Sequence, residues 1–178
     1  RSCSVLGSHR SVRHSTEVLE MSKHPQFRVE ELTRVDQVVE IFEMAKKFAE
    51  EVLLDEYIDF DTLALSCARV RDDVERKYLN VFIVYDRKEP VGFLVGVTTP
   101  CFHRPCIVAE QKLWYVKPER RNAHAAMHLV RAYERWARLN GATQIYTGTA
   151  NTPFTERTSK FLERLGYART GTLHVKEI

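Results

Sequence analysis

The 178 residues, 44% hydrophobic and 29% charged, have the composition of one globular domain, long enough to bury a core without disulfides. A net charge of +3 and a pI near 8.7 are too mild to imply nucleic acid, and the longest apolar runs, VFIVY and VGFLVGV, fall far short of the roughly 20 residues that span a bilayer. The cysteines, Cys3, Cys67, Cys101 and Cys106, show no disulfide framework and suit a reducing, cytoplasmic setting.

Residues 1–20 are rich in serine and carry Arg1, Arg10 and Arg13 with no acidic residue before Glu17. Such a composition occurs in transit peptides, but Met21 opens an alternative beginning, MSKHPQF, and the stretch is read as a leader or expression-derived segment outside the core. Residues 21–178 are expected to form the single domain.

FRVEEL, from Phe27 to Leu32, alternates as a first strand does. Thr33 is expected to cap a helix with Asp36 in its first turn and an apolar face of Val38, Phe42, Ala45, Phe48 and Val52. A second helix begins at Asp59 or Asp61, on the spacing of Leu63, Cys67, Val70 and Val74. Around the two helices lie Glu50, Glu51, Asp55, Glu56, Asp59 and Asp61, a solvated acidic connection or, on the sharper reading, an attraction for a cationic ligand.

Val81–Tyr85 and Val91–Val97 read as a hairpin around Asp86, Arg87, Lys88 and Glu89. In the following TTPCFHRPC, three candidate ligands, Cys101, His103 and Cys106, sit in one short loop with no matching pair elsewhere, so ordinary loop residues are expected rather than zinc. Next, AEQKLWYV reads as a strand ending at Val116, Pro118 marks a turn, and a helix opens near Asn122 and runs to about Asn140. Unpaired N–H groups at that helix start make an anion site. GATQIYTGTAN supplies a fifth strand, and Thr152 or Thr155 opens a last helix ended by Gly166. The tail suits a hairpin around Thr170 and Gly171.

Val116, Pro118, Arg121 and Ala126 resemble the V-x-P-x-x-R-G-x-G-x-G/A string of the GNAT superfamily of acyl-CoA-dependent N-acyltransferases. Asn122 and His124 stand where the family usually has glycines, a departure from the turn that lets backbone approach a pyrophosphate. The WYV before the proline and the glycine-poor turn are also similar to acetyltransferase-like proteins of bacteriophages.

The resemblance implies an α/β (α+β) fold: a central mixed, mostly antiparallel sheet with splayed fourth and fifth strands, flanked by about four helices. It implies acetyl-CoA as co-substrate, no metal, and a site using Trp114, Val116, Arg121, Asn122, Ala123, His124, Ala125, Ala126 and Asn151. Amine attack on a thioester needs a proton acceptor, and Glu110 stands where some relatives carry theirs; the bland alternative is a solvent-facing strand residue. Many relatives place a tyrosine where Leu162 stands, so Tyr115, Tyr146, Ser159 or water supplies the acid, or none does.

His124 and His128 are expected on a polar helix face with Arg131, Arg135 and Arg138. The reading is therefore an N-acetyltransferase acting on an amine-bearing, cationic acceptor, with no membrane or nucleic-acid partner and a homodimer left open. The rival is a GNAT-fold module that binds coenzyme A or a protein without catalysing transfer.

Overall fold

The computed structural model describes residues 27–52, 58–73, 77–121, 123–148 and 155–170. Residues 1–20, read above as a leader, Asn122, Asn151, Thr152 and the tail where a hairpin was expected, from Gly171 on, lie outside them. The elements in chain order are β1 (Phe27–Glu31), α1 (Val35–Val52), α2 (Phe60–Asp72), β2 (Leu79–Asp86), β3 (Glu89–Pro100), β4 (Ile107–Val116), a 3-10 turn (Pro118–Arg120), α3 (Ala123–Leu139), β5 (Ala142–Tyr146) and α4 (Thr155–Arg164).

Five strands pair in sequence order, β1 to β5. The first four are antiparallel because tight connections join β2 to β3 and β3 to β4; β4 and β5 are parallel because α3 carries the chain back between them. Two apolar layers result. On one face α3 packs Leu129, Tyr133 and Trp136 against Phe82, Leu94 and Ala109. On the other, Ile41, Met44 and Ala45 of α1 and Cys67 and Val70 of α2 cover Ile83, Phe93 and Tyr115. This is the expected mixed sheet flanked by helices.

Helix ends follow local chemistry, with one reversal. Asp59 caps α2, its Oδ1 accepting the Thr62 N–H at 2.6 Å, and the same bond holds its carboxyl below the usual carboxylate range. Gly166 closes α4 at φ 95°; its N–H bonds Glu163 O at 3.0 Å and the Tyr167 N–H bonds Leu162 O at 3.1 Å, the double bond of a left-handed cap.

At α1 the expected Thr33 cap is replaced. The side chain of buried Gln37 accepts the N–H groups of Thr33 at 2.8 Å and Arg34 at 3.0 Å. These are the reach-back bonds of a capping box, and the Thr33 hydroxyl, expected as an acceptor, itself donates to Gln37 Oε1 at 3.5 Å. Among the described residues, no helix is long and apolar enough to cross a membrane.

Candidate active site

Two irregularities in β4 build the site. Against β3, Val95 pairs with Leu113 and Gly96 with Gln111, so Lys112 is an extra residue that bulges the strand. Opposite the bulge a Cβ on Gly96 would lie 2.5 Å from the Tyr133 ring, so only glycine lets α3 pack this close.

The bulge also changes which residues share a face. Simple alternation puts Glu110 with Lys112 and Gln111 with Leu113. In the structure Glu110 pairs with Val97 and Leu113 with Val95, which lie two apart on β3, so Glu110 and Leu113 share the α1/α2 face while Gln111 lies on the α3 face with Gly96. Lys112 nevertheless reaches Glu110, Nζ to Oε2 at 2.6 Å.

The second irregularity is the parting of β4 from β5. Among the described residues their parallel register runs from Ile107–Ala142 to Glu110–Tyr146, and the end of β4, from Gln111 to Val116, pairs as a strand only with β3. The Gln111 side chain spans the start of the gap, its Oε1 accepting the Thr147 hydroxyl at 3.0 Å and the Gly148 N–H at 3.2 Å. Beyond it α4 forms a wall. Phe161 lies against Trp114, ring centroids 6.1 Å apart, and Arg157 donates from Nη2 to the Arg121 carbonyl at 3.3 Å. The buried Trp114 Nε1–H has no hydrogen-bond partner among the described residues, a costly state.

The gap ends at the turn from β4 to α3. Lys117 N–H bonds Val91 O at 2.9 Å, and its Nζ reaches Glu89 at 3.0 Å. Arg120 bridges Asp86 at 3.0 Å and Glu89 at 3.2 Å. Lys117 first and Arg120 second hold the Glu89 carboxyl below its usual range. Arg121, expected to meet phosphate, is engaged by protein: Nε donates to Val116 O at 2.8 Å, both terminal nitrogens bond the Glu51 carboxylate, and the guanidinium stands 5.6 Å from the Tyr115 ring centroid. The turn is thereby clamped to the β2–β3 hairpin on one side and to the end of α1 on the other.

A model of the protein family described as "Acetyltransferase (GNAT) family" matches residues 37–167, most of the chain and all the elements just described from α1 to α4. The chain belongs to the acetyltransferase (GNAT) family.

Among solved structures, the fold is similar to that of aminoglycoside acetyltransferase HMB0005 from an uncultured soil metagenomic sample, at 16% identity and a TM-score of 0.67 over 86% of this chain and 98% of that one. It is similar to AAC(6')-Iy in complex with a CoA-S-monomethyl-acetylneamine bisubstrate analog, at 17% identity and 0.66 over 86% and 98%. It is also similar to ribosomal-protein-alanine N-acetyltransferase from Brucella melitensis biovar Abortus 2308, at 13% identity and 0.65 over 86% and 99%. No curated protein matches the sequence. At these identities the structures bear on fold; the family match carries the class, an acyl-CoA-dependent N-acetyltransferase.

Within this family member the expected site residues divide. Tyr146 lies beside Glu110 at the mouth of the gap, half-exposed, its hydroxyl 3.3 Å from Gln144 Oε1. Tyr115 is buried against Phe48 and Phe93; burial, then the Glu51 charge, pushes its hydroxyl up to about 12, and the hydroxyl has no partner among the described residues. Ser159 is half-buried on α4.

Val116 ends β4, Ala123 starts α3, Ala125 is wholly buried beneath that first turn, Ala126 packs beside it and His124 is exposed. His128 departs from the polar face assigned to it and packs against Phe27, the rings tilted by 44° with centroids 5.8 Å apart. No group of three or more His, Cys, Asp or Glu side chains is arranged for a metal among the described residues. Gln111 and Arg157 escaped sequence reasoning, because neither carries a motif and each acts across a long span of chain.

Proposed function

We propose that the protein transfers an acetyl group from acetyl-CoA to a primary amine by direct attack in a ternary complex, with no covalent enzyme intermediate. The observation that carries this reading is the parting of β4 and β5 after the Glu110–Tyr146 row, which among the described residues leaves the β4 backbone unpaired on that side as far as the turn to α3, with the orphaned Trp114 N–H in the same stretch. These groups suit a long, amide-bearing, phosphorylated molecule: backbone and indole for its amides, helix N–H groups for its phosphates.

Val116 and the first turn of α3, from Ala123 to Ala126, would hold the pyrophosphate end, and Arg157, exposed beside the Arg121 carbonyl, adds a cation there. Arg121, with its guanidinium on Glu51, shapes the turn. Bound acetyl-CoA supplies a thioester carbon open to attack. Glu110 takes the proton from the attacking amine, with Lys112 holding its carboxylate in place until an amine enters. A β4 backbone N–H in the stretch between Glu110 and Val116, closer to Glu110 than to the pyrophosphate end, would face the developing oxyanion. Tyr146, in the same row as Glu110, is the best placed of the three hydroxyls to return a proton to the leaving thiolate.

A cationic acceptor suits the acidic residues at the end of α1 and the start of α2, among them Glu50, Asp59 and Asp61. The names of the similar structures, aminoglycoside and ribosomal-protein acetyltransferases, point to amines of two sizes. The second reading, a binding module without transfer, is favoured by Leu162, which is buried where many relatives carry a tyrosine. Calorimetry with acetyl-CoA, followed by mass detection of acetylated aminoglycosides, polyamines and lysine peptides, separates the two. Binding and acetylated product support the enzyme; binding with no product across the panel supports the module; no binding removes the enzyme and leaves only a module that binds protein.

A further inference from the structure

We propose that Cys101 and Cys106 are a redox modification site, joined by a reversible disulfide that staples the β3–β4 hairpin. The two cysteines close the hairpin immediately beyond the Pro100–Ile107 pair, and the Cys101 N–H donates to the Cys106 carbonyl at 2.8 Å. Opposed residues of an antiparallel pair stand roughly 4.5–5.5 Å apart at Cα, and this pair, which keeps one of the two possible bonds, extends that ladder within the window of roughly 4.4–6.8 Å that a disulfide spans. Between them the loop is tied down: Cys106 N–H bonds Arg104 O at 2.8 Å, and the Arg104 guanidinium bonds Gln144 Oε1 on β5 at 2.7 Å. Little backbone movement is needed to join the sulfurs.

Their reactivity differs from that of the third described cysteine. Cys67 is sealed in the core, where burial pushes its thiol up to about 11. Cys101 and Cys106 are half-exposed free thiols. Backbone N–H donation from His103, then hydrogen bonding with Cys106 and Arg104, draws the Cys101 thiol below its ordinary range, and His103 Nδ1 lies 3.6 Å from the Cys101 sulfur, placed to take its proton.

The step balances with a low-molecular-weight disulfide as oxidant. The Cys101 thiolate attacks one sulfur of that disulfide, forming a mixed disulfide and expelling one small thiolate. Cys106 then loses its proton and attacks the Cys101 sulfur, expelling the second. The protein gives up two electrons and two protons, and the oxidant leaves as two thiols.

The test is to incubate the full chain with oxidised glutathione and map its peptides without reduction. The expected result is a Cys101–Cys106 link two hydrogens lighter than the dithiol, reversed by dithiothreitol, with Cys67 untouched. Cys106→Ser should instead trap a stable glutathione adduct on Cys101. Separate adducts on both cysteines of the unaltered chain, or both thiols remaining free while a small dithiol in the same tube is oxidised, would overturn the proposal.

Discussion

Glu110 and Tyr146 are register partners in the last row before β4 and β5 part, side by side on the α1/α2 face of the sheet. A carboxylate and a phenol thus stand together where the two strands part. Glu110→Gln keeps the shape and removes the base, and turnover at neutral pH should fall by about 10² to 10⁴. Raising the pH should restore part of it by deprotonating the acceptor in solution. Tyr146→Phe should lower kcat with little effect on acetyl-CoA affinity. Steady-state kinetics across pH check both, and undiminished turnover in the glutamine variant would remove Glu110 from the chemistry.

The unpartnered indole N–H of Trp114 separates a binding role from a packing role. Trp114→Phe keeps an aromatic ring against Phe161 and deletes the donor. If coenzyme A accepts from it, affinity should drop roughly 2- to 12-fold, the equivalent of about 0.5–1.5 kcal/mol, while the melting temperature holds or rises because a buried unsatisfied donor has gone. Calorimetry and thermal unfolding on the same sample read both effects.

Glu51 and Arg121 join the end of α1 to the turn between β4 and α3 through two charged hydrogen bonds, both side chains largely buried. Arg121→Ala and Glu51→Gln should each destabilise the fold by about 1.5–3 kcal/mol, and a double-mutant cycle should show strong coupling. The earlier expectation, that Arg121 grips phosphate directly, requires instead that Arg121→Ala weaken acetyl-CoA while Glu51→Gln does not. Denaturant titration alongside calorimetry decides between these roles.

Arg157 is exposed, so its removal should leave stability unchanged. Arg157→Ala should nevertheless weaken acetyl-CoA about tenfold at low salt, and by less as salt rises and screens the charge. Equal affinities for the two proteins at low salt would place the coenzyme phosphates elsewhere.

His128 makes stability depend on pH. Burial first, then the charges of Arg131 and His124, depress its folded-state pKa below the ordinary 6.5. The folded state therefore binds the proton less readily than the unfolded chain. The contribution of His128 is fully present above pH 6.5 and is lost as pH falls through its lower folded value. His128→Phe, packed on Phe27, should flatten this part of the stability profile; an unchanged profile would assign the dependence to another group.

What the sequence by itself determined is the part of the fold written in short-range chemistry. Alternation placed β1, β-branched and aromatic runs around a tight turn placed β2 and β3, helical spacing placed α1, α2 and α3, Pro118 marked the turn, and Asp59 and Gly166 capped their helices as their side chain and its absence require. Each depends on atoms within a few residues along the chain. Even the departure at Thr33 is local, since Gln37, four residues on, supplies the acceptor.

Tertiary structure alone decided the site. The extra residue at Lys112 exists only against the register of β3, and it reversed the faces assigned to the residues after it. Glu51 takes the guanidinium of Arg121 from seventy residues away, and Arg157 reaches the same residue's carbonyl from thirty-six residues on. Glu110 and Tyr146 share a row because α3 returns the chain parallel to β4. Strand register and long-range ion pairing are settled by how α3 and α1 pack on opposite faces of the sheet, and that packing energy is spread over the whole core rather than carried by any one stretch of sequence.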